Sequence, residues 1–315
     1  MLRFIATRVA TLIPMLFLLT VVVFALVEIA PGDPAAIIAG PEASPESVAG
    51  LRQELGLDRP LYERYFSYLT SLLQGDLGTS YLTDEPVSEV IARRLPRTAT
   101  ISAYALLISV VLSIPFGLLA ALRRGRFTDR FVTGSSVFLL AVPPFVLAAL
   151  LVNYLALGGL RILPPTGYVP MSESVSEWLR FATLPAIAIA TISLAELTRQ
   201  ARGSLVDTLE EDYVRTAKAK GLGRWRTVGK HAAKNAAVPY ITILGLNVGR
   251  IVGAAVIVEA IFNLQGFGQL GVTSVLTRDL PTMQGVVLIS GLIVLVVNLL
   301  VDISYGYLNP RIRTR

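Results

Sequence analysis

The chain has 315 residues, of which 53% are hydrophobic and 16% charged, with a mean hydropathy of +0.63 and a formal net charge of +6. That is too apolar for a soluble domain of ordinary composition. There is no cysteine and a single histidine, His231, which excludes disulfides, thiolate metal sites and any zinc site without carboxylate help.

A hydrocarbon core of roughly 30 Å needs about 20 apolar helical residues, because only a helix satisfies its own backbone in lipid. Val9 to Val27, Thr98 to Leu122, Phe131 to Leu160 and Leu280 to Val301 are free of Asp, Glu, Lys and Arg and long enough to span. Phe181 to Ala195 reaches that length if it continues to Thr198, and Ala236 to Ile261 does so with Arg250 inside it. Six spans result. The first exceeds a signal-peptide apolar core, and "EIAPGDPA" follows it instead of a small-residue cleavage pattern, so it reads as a retained span. Residues 1–30 then form a cytoplasmic N-terminus with the first helix, 31–97 an extracytoplasmic helical segment, and 98–315 a transmembrane core. Within that core the spans lie at about 98–122, 131–157, 181–198, 236–261 and 280–305.

In 31–97, Ser44-Pro45-Glu46 supplies an N-cap, a first-turn proline and an acidic first turn, and Gly56 a stop. From Leu61 to Leu73, the residues Tyr62, Tyr65, Phe66, Leu69, Leu72 and Leu73 fall on one helical stripe. Two readings fit that segment: a docking surface for an extracytoplasmic partner, or a lid over the bundle. Pro115 and Pro143-Pro144 are expected to kink their helices.

The loops on one side, 1–8, 123–130, 199–234 and 309–315, hold all four lysines and twice as many basic residues as the longer loops opposite. By the positive-inside rule both termini face the cytoplasm, and the positive charge is a topology signal, not a nucleic-acid footprint.

The most polar stretch is the loop 199–235 between the fourth and fifth spans. Thr208 with Glu211 three residues on suggests a capping box, with Glu210, Glu211 and Asp212 in a first turn. Lys218 and Lys220 suit a helix C-terminus, and Gly221 suits the left-handed position beyond it. Arg224 to Lys234 is expected as a second helix with Trp225, Val228 and Ala232 on its apolar side and Arg226, Lys230 and Lys234 on its polar side. Tethering to spans at both ends argues against a DNA-binding helix-turn-helix. A phosphate-binding loop is absent too: "GRWRTVGKH", 223–231, has its glycines one residue too far apart and His231 where a metal-binding hydroxyl belongs. A tethered helical pair without a motor of its own calls for a cytoplasmic partner.

"RTAKAKG" at 215–221, followed by "KHAAKNAAVP" ending at Pro239, resembles the cytoplasmic EAA-type loop of permease subunits in binding-protein-dependent ABC importers, of the dipeptide and oligopeptide branch. The resemblance continues through "PGDP" at 31–34, "LRQELGLDRPLYERY" at 51–65, "GDLGTS" at 75–80, "RLP" at 94–96, "VEAIFN" at 258–263, "GFGQLG" at 266–271, "RDLP" at 278–281 and "NLLVDISYGYLNPRIR" at 298–313. Arg215 and Thr216 stand where the general motif has Glu-Ala, a difference the peptide branch shares; "NLQG" at 263–266 and Asn309 before Pro310 are smaller departures.

The resemblance implies an all-α fold of type I importer permease architecture, with six transmembrane helices and a coupling helix between the fourth and fifth. It implies a second, similar permease subunit, two cytoplasmic ATPase subunits that bind ATP and Mg²⁺, an extracytoplasmic substrate-binding protein, and a bacterial cytoplasmic-membrane location. This chain itself would carry no cofactor and no catalysis. The ATPase contact set carried over from the family is Arg215, Thr216, Ala217 and Gly221, with Leu222, Trp225 and Arg226 nearby. Dipeptides, longer peptides, glutathione, haem and nickel chelates are all carried within the branch.

Arg250 is expected near mid-bilayer, where an unpaired guanidinium costs about 2.5 to 3.5 kcal/mol. Two readings fit: it lines the translocation route and meets a peptide carboxylate, or it pairs structurally with Glu196, Glu259, Asp302 or an acid of the second subunit. Glu259 is a second pathway candidate, at the outer end of the same helix, or a snorkelling interfacial residue. A stand-alone secondary transporter needs several buried ionisable groups, and a membrane enzyme needs a nucleophile and base pair; neither pattern is present. His231 reads as a surface residue of the coupling segment.

Overall fold

The computed structural model describes residues 2–29, 32–40, 42–158 and 161–308. Among them every regular element is helical, an isolated bridge between Thr79 and Pro86 apart. Five helices are long and apolar enough to cross a membrane: Ala6–Ile29 within α1 (Leu2–Ile29), α5 (Val87–Leu122), α8 (Val175–Glu210), α11 (Ala233–Phe262), and Leu280–Ser304 within α13 (Leu280–Leu308). Counting as one the pair formed by α6 (Phe127–Ala141) and the segment Pro144–Leu157, bent by 96°, brings the number to six. The expected kink at Pro143-Pro144 is therefore a full break. Two prolines in succession force Val142 and Pro143 into extended backbone, and the chain restarts as α7 (Pro144–Leu151). Pro115, by contrast, lies inside an α5 that runs on without interruption. Asn309, Pro310 and the remainder of the last resemblance stretch lie outside the described residues.

The helices form two compact units. One comprises Ala6–Pro96 and Gln265–Val296. In it, α2 (Pro34–Ala39) is capped by Asp33, whose carboxylate accepts from Ala35 N at 3.1 Å. Ser44 caps α3 (Pro45–Glu54) with Pro45 at its first position, as the sequence indicates. The helix ends with Gly56 at φ +63°, and the amides of Gly56 and Leu57 close onto Gln53 O and Arg52 O. α4 (Leu61–Leu73) has the expected bounds, and Tyr65, Leu69 and Leu72 of its apolar stripe are partly buried. Tyr65 and Tyr68 pack on Phe24 of α1, the Tyr65 hydroxyl lies 2.9 Å from Thr20 Oγ1, and Arg64 forks onto Glu28 at 2.6 and 2.8 Å. Tyr62, Phe66 and Leu73 face outward. The ion pair and the two aromatic packings, which periodicity does not register, decide the rotation of the helix. Burial, helped by neighbouring Tyr65, pushes the Tyr68 phenol up to about 12, so the ring stays uncharged.

Immediately before α13, the buried carboxylate of Asp279 accepts from Ser80 Oγ at 2.5 Å, Thr282 Oγ1 at 2.7 Å and Tyr81 N at 3.1 Å. It thus ties the turn at 80–81 to the start of α13. Asp279→Ala strands two hydroxyls and an amide, and should destabilise this unit by about 2 to 3 kcal/mol. Limited proteolysis of the 79–86 turn would read this out as faster cleavage; an unchanged rate would contradict it.

The other unit comprises Arg97–Leu264 with the described parts of Met1–Ile5 and Val297–Arg315. Its axis is α8, which packs against α6, α7 and α11. Beside Leu184, Ile189 and Leu197, α8 buries many small residues, among them Ala182, Ala186, Ala188, Ala190, Ser193 and Ala195, which let neighbouring backbones approach closely. Gly117 of α5 shows how closely: a Cβ there would lie 2.5 Å from Ala201 Cβ of α8.

Candidate coupling segment and polar cleft

α8 continues to Glu210, well past the expected end of its span, and the capping box does not form. The Thr208 hydroxyl donates back to Ser204 O at 2.7 Å inside the helix. Ser204, Leu205, Val206 and Thr208 are all buried, so packing extends α8 where local sequence suggests a start. Glu211 then takes extended geometry, φ −64° and ψ 144°, and opens α9 (Asp212–Ala219) without a side-chain cap bond. α9 ends as its sequence indicates. Gly221 sits at φ +80°, its amide bonds Lys218 O at 2.9 Å and that of Leu222 bonds Ala217 O at 3.2 Å, a closed Schellman turn.

After the turn, α10 (Arg224–Arg226) passes through a π-helical segment, Thr227–Ala232, straight into α11. The expected second helix is thus the head of the fifth span, not a separate element. Val228 and Ala232 are buried against Ala121, Leu205 and Val206, as expected, but Trp225 is 71% exposed. The π segment adds a residue to its turn, and Trp225 lies before it, so the simple helical register does not carry back to the ring.

Of the seven residues carried over as ATPase contacts, Arg215, Thr216, Gly221, Trp225 and Arg226 are exposed, Leu222 is half-buried and Ala217 is buried with Val214 on the inner side of α9. Among the described residues Arg215 has one loose surface partner, Asp212 at 3.6 Å. The segment is held from beneath: Asn235 Nδ2 donates to Tyr213 OH at 2.7 Å and Thr227 Oγ1 to Gly223 O at 3.1 Å. The backbone at His231 belongs to the π segment, but its side chain lies outside the described ones.

Two further ion pairs anchor the turn between α5 and α6 to α8. Arg124 pairs with Glu210, and Arg202 forks onto the buried Asp129, Nη2 reaching Oδ2 at 2.8 Å. Asp129 also accepts from Gly125 N at 2.8 Å. Sequence reasoning missed this clamp, whose only signal was an acid among arginines in the 123–130 loop.

Arg250 of α11 pairs with Glu196 of α8, one of the four acidic partners proposed for it, and its side chain is 56% exposed instead of deeply buried. The pair lies 14 residues before the end of α8, about 21 Å along it. It lines a cleft of about 440 Å³ together with Arg199, Gln200, Arg202 and Thr133. Behind it, Asn247 is fully buried: it donates to Glu196 Oε2 at 3.1 Å and to Ile243 O at 2.9 Å, and accepts from Ser193 Oγ at 2.9 Å. Both readings of Arg250 thus have a geometric counterpart, an ion pair and an opening. Glu259 is different. It is 1% exposed and accepts from Thr98 Oγ1.

Five apolar helical spans, a sixth apolar pair bent at its middle, and a charged helical elbow between α8 and α11 define an integral-membrane transport subunit. The family of binding-protein-dependent transport system inner membrane components matches residues 113–314, and its N-terminal model matches 1–102. The chain belongs to that family. A probable peptide ABC transporter permease of Sinorhizobium fredii is 39% identical over 98% of this chain and 99% of its own length. A glutathione transport system permease of Escherichia coli is 38% identical over 99% of both. Among solved structures, a chain of the MetNI methionine ABC transporter in inward-facing form aligns with a TM-score of 0.58, covering 70% of this chain and 96% of its own, at 14% identity, and so shares the fold. This membership sets aside the stand-alone secondary transporter.

Proposed function

We propose that this chain is one half of the membrane path of a peptide-class ABC importer, with a second permease subunit as the other half. Two cytoplasmic ATPases would drive it through the 210–235 segment, and an extracytoplasmic binding protein would deliver the substrate. The observation that carries the reading is the placement of the matched motif residues. Arg215, Thr216, Gly221, Trp225 and Arg226 lie together on an exposed elbow that joins α8 to α11, so force on the elbow is applied directly to two spans. The peptide and glutathione names of the relatives support the substrate class, and the loop charges support cytoplasmic termini.

The test is reconstitution into lipid vesicles. The two permease subunits alone should move no peptide uphill; adding the ATPases, the binding protein and ATP should start accumulation. Trp225→Ala, which removes an exposed indole with little cost to folding, should weaken ATPase retention by about tenfold, as expected for an interface anchor. Uphill transport without ATPases, or a Trp225→Ala complex of undiminished affinity and uptake, would contradict the proposal.

A further inference from the structure

The cleft between α8 and α11 holds more organisation than an ion pair needs. Glu196 is oriented from both sides, by Arg250 on Oε1 and by the fully buried Asn247 on Oε2, with Ser193 fixing the Asn247 amide in turn. Placing an amide and a hydroxyl inside an apolar helix pair is costly unless every group is satisfied; Ser193 and Ile243 answer part of the Asn247 amide, and Glu196 answers the rest. Arg250 remains more than half exposed toward the cleft, with donors to spare. Arg199, exposed at the same wall, has no hydrogen-bond or ion-pair partner among the described residues. Arg202 is occupied by Asp129. The cleft therefore presents one oriented carboxylate, one guanidinium that answers it, and one guanidinium left over.

We propose that this cleft is a passing station for a small zwitterion, taking the terminal ammonium of a short peptide on Glu196 and its terminal carboxylate on Arg250 and Arg199. The inference rests on the peptide reading above and deepens it. With the cleft empty, Arg250 stands in for the ammonium and Glu196 for the carboxylate. A ligand carrying both charges replaces one internal pair with two external ones and brings the leftover guanidinium into use. A volume of about 440 Å³ falls within the roughly 300 to 1,000 Å³ usual for small-molecule sites. Because the contacts on Glu196 and Arg250 displace an internal ion pair, binding is weak, which suits a site that must also release its occupant.

The chain has no native cysteine, so Gln200→Cys is a single reporter in the cleft wall. The permease should be studied in the assembled complex in vesicles, with a membrane-permeant maleimide and dialanine as the probe. Dialanine should slow labelling, while its C-terminal amide and its N-acetyl form should not, and Arg250→Gln or Glu196→Gln should abolish the protection. Thr133→Cys is the second reporter position should Gln200→Cys fail to assemble. Dialanine uptake by the same complex should show a KM raised about tenfold by Arg199→Gln, the loss of one charge-assisted contact. No protection at either position, equal protection by all three compounds, or protection that survives both charge-removing variants overturns the inference. Uptake without protection sinks this inference alone; protection without any peptide uptake by the complete complex sinks the peptide-import reading and leaves the site standing.

Discussion

Gly221→Pro should lower ATP-driven uptake by the assembled transporter by about tenfold or more while the chain remains in the membrane, since a backbone misfit on the scale of 3 kcal/mol falls on the elbow itself. Gly221 holds φ +80°, whereas proline is confined near −65°. Proline also lacks the amide that reaches Lys218 O at 2.9 Å, so the closing turn of α9 loses a bond as well as its geometry. Space is not the issue, because a Cβ at this position meets nothing within 4 Å. The effect should therefore follow backbone preference, not side-chain size. Asn, which tolerates the left-handed region, should keep most activity, Ala should lose some at a cost of about 1 to 2 kcal/mol, and Pro should be worst. ATPase co-purification and ATP hydrolysis separate the two ways of failing: released ATPases, or bound ATPases that hydrolyse without transport. A Pro variant with normal uptake would remove α9 and its turn from the proposed coupling route.

The Gly221 turn illustrates what could be read from sequence and why. Its signal is local: a glycine after a helix that ends in lysines has one favoured backbone solution. Ser44, Pro45 and Gly56 were legible for the same reason, and their caps form as expected. The start of α9 was misread because Thr208 and Glu211 satisfy a local rule that tertiary packing overrides. α8 buries Ser204 to Thr208, and a hydroxyl inside a buried helix bonds its own carbonyl four residues back. Trp225 was misplaced by periodicity alone because a π segment intervenes, while on α4 an ion pair and ring packing turn Tyr65 inward and leave Tyr62 exposed. For Arg250 the sequence showed that a partner was needed, but four acids met the requirement. Choosing Glu196 takes the relative register of α8 and α11, helices whose paired residues lie 54 positions apart. Asn247 and Ser193 carried a signal that was passed over, polar residues inside apolar spans.

Register between helices also underlies the second large effect. Asp129→Ala should destabilise the Arg97–Leu264 unit toward the lower end of the about 3 to 5 kcal/mol lost when one partner of a buried pair is removed. Asp129 has a side-chain exposure of only 6%, and accepts from Arg202 and from Gly125 N, so its loss strands a guanidinium and an amide together. Arg202 keeps 28% exposure and can recover some hydration, which limits the penalty. Arg202→Lys should cost part of this, because an ammonium cannot reproduce the two-pronged contact. The double change Asp129→Leu with Arg202→Met should recover much of the loss, since no charge is then left unanswered. Thermal unfolding of the detergent-purified chain would rank the four proteins. If Asp129→Ala melted with the unaltered protein, the α5–α6 turn would not be anchored to α8 by this contact. The order of the series bears on function as well: the clamp holds the part of α8 that ends at Glu210, one residue before the bend into α9. A push received at the elbow reaches the bundle through α8 only while that stretch is fixed. Asp129→Ala should then also lower transport per ATP hydrolysed, and the charge-free double variant should restore it along with stability.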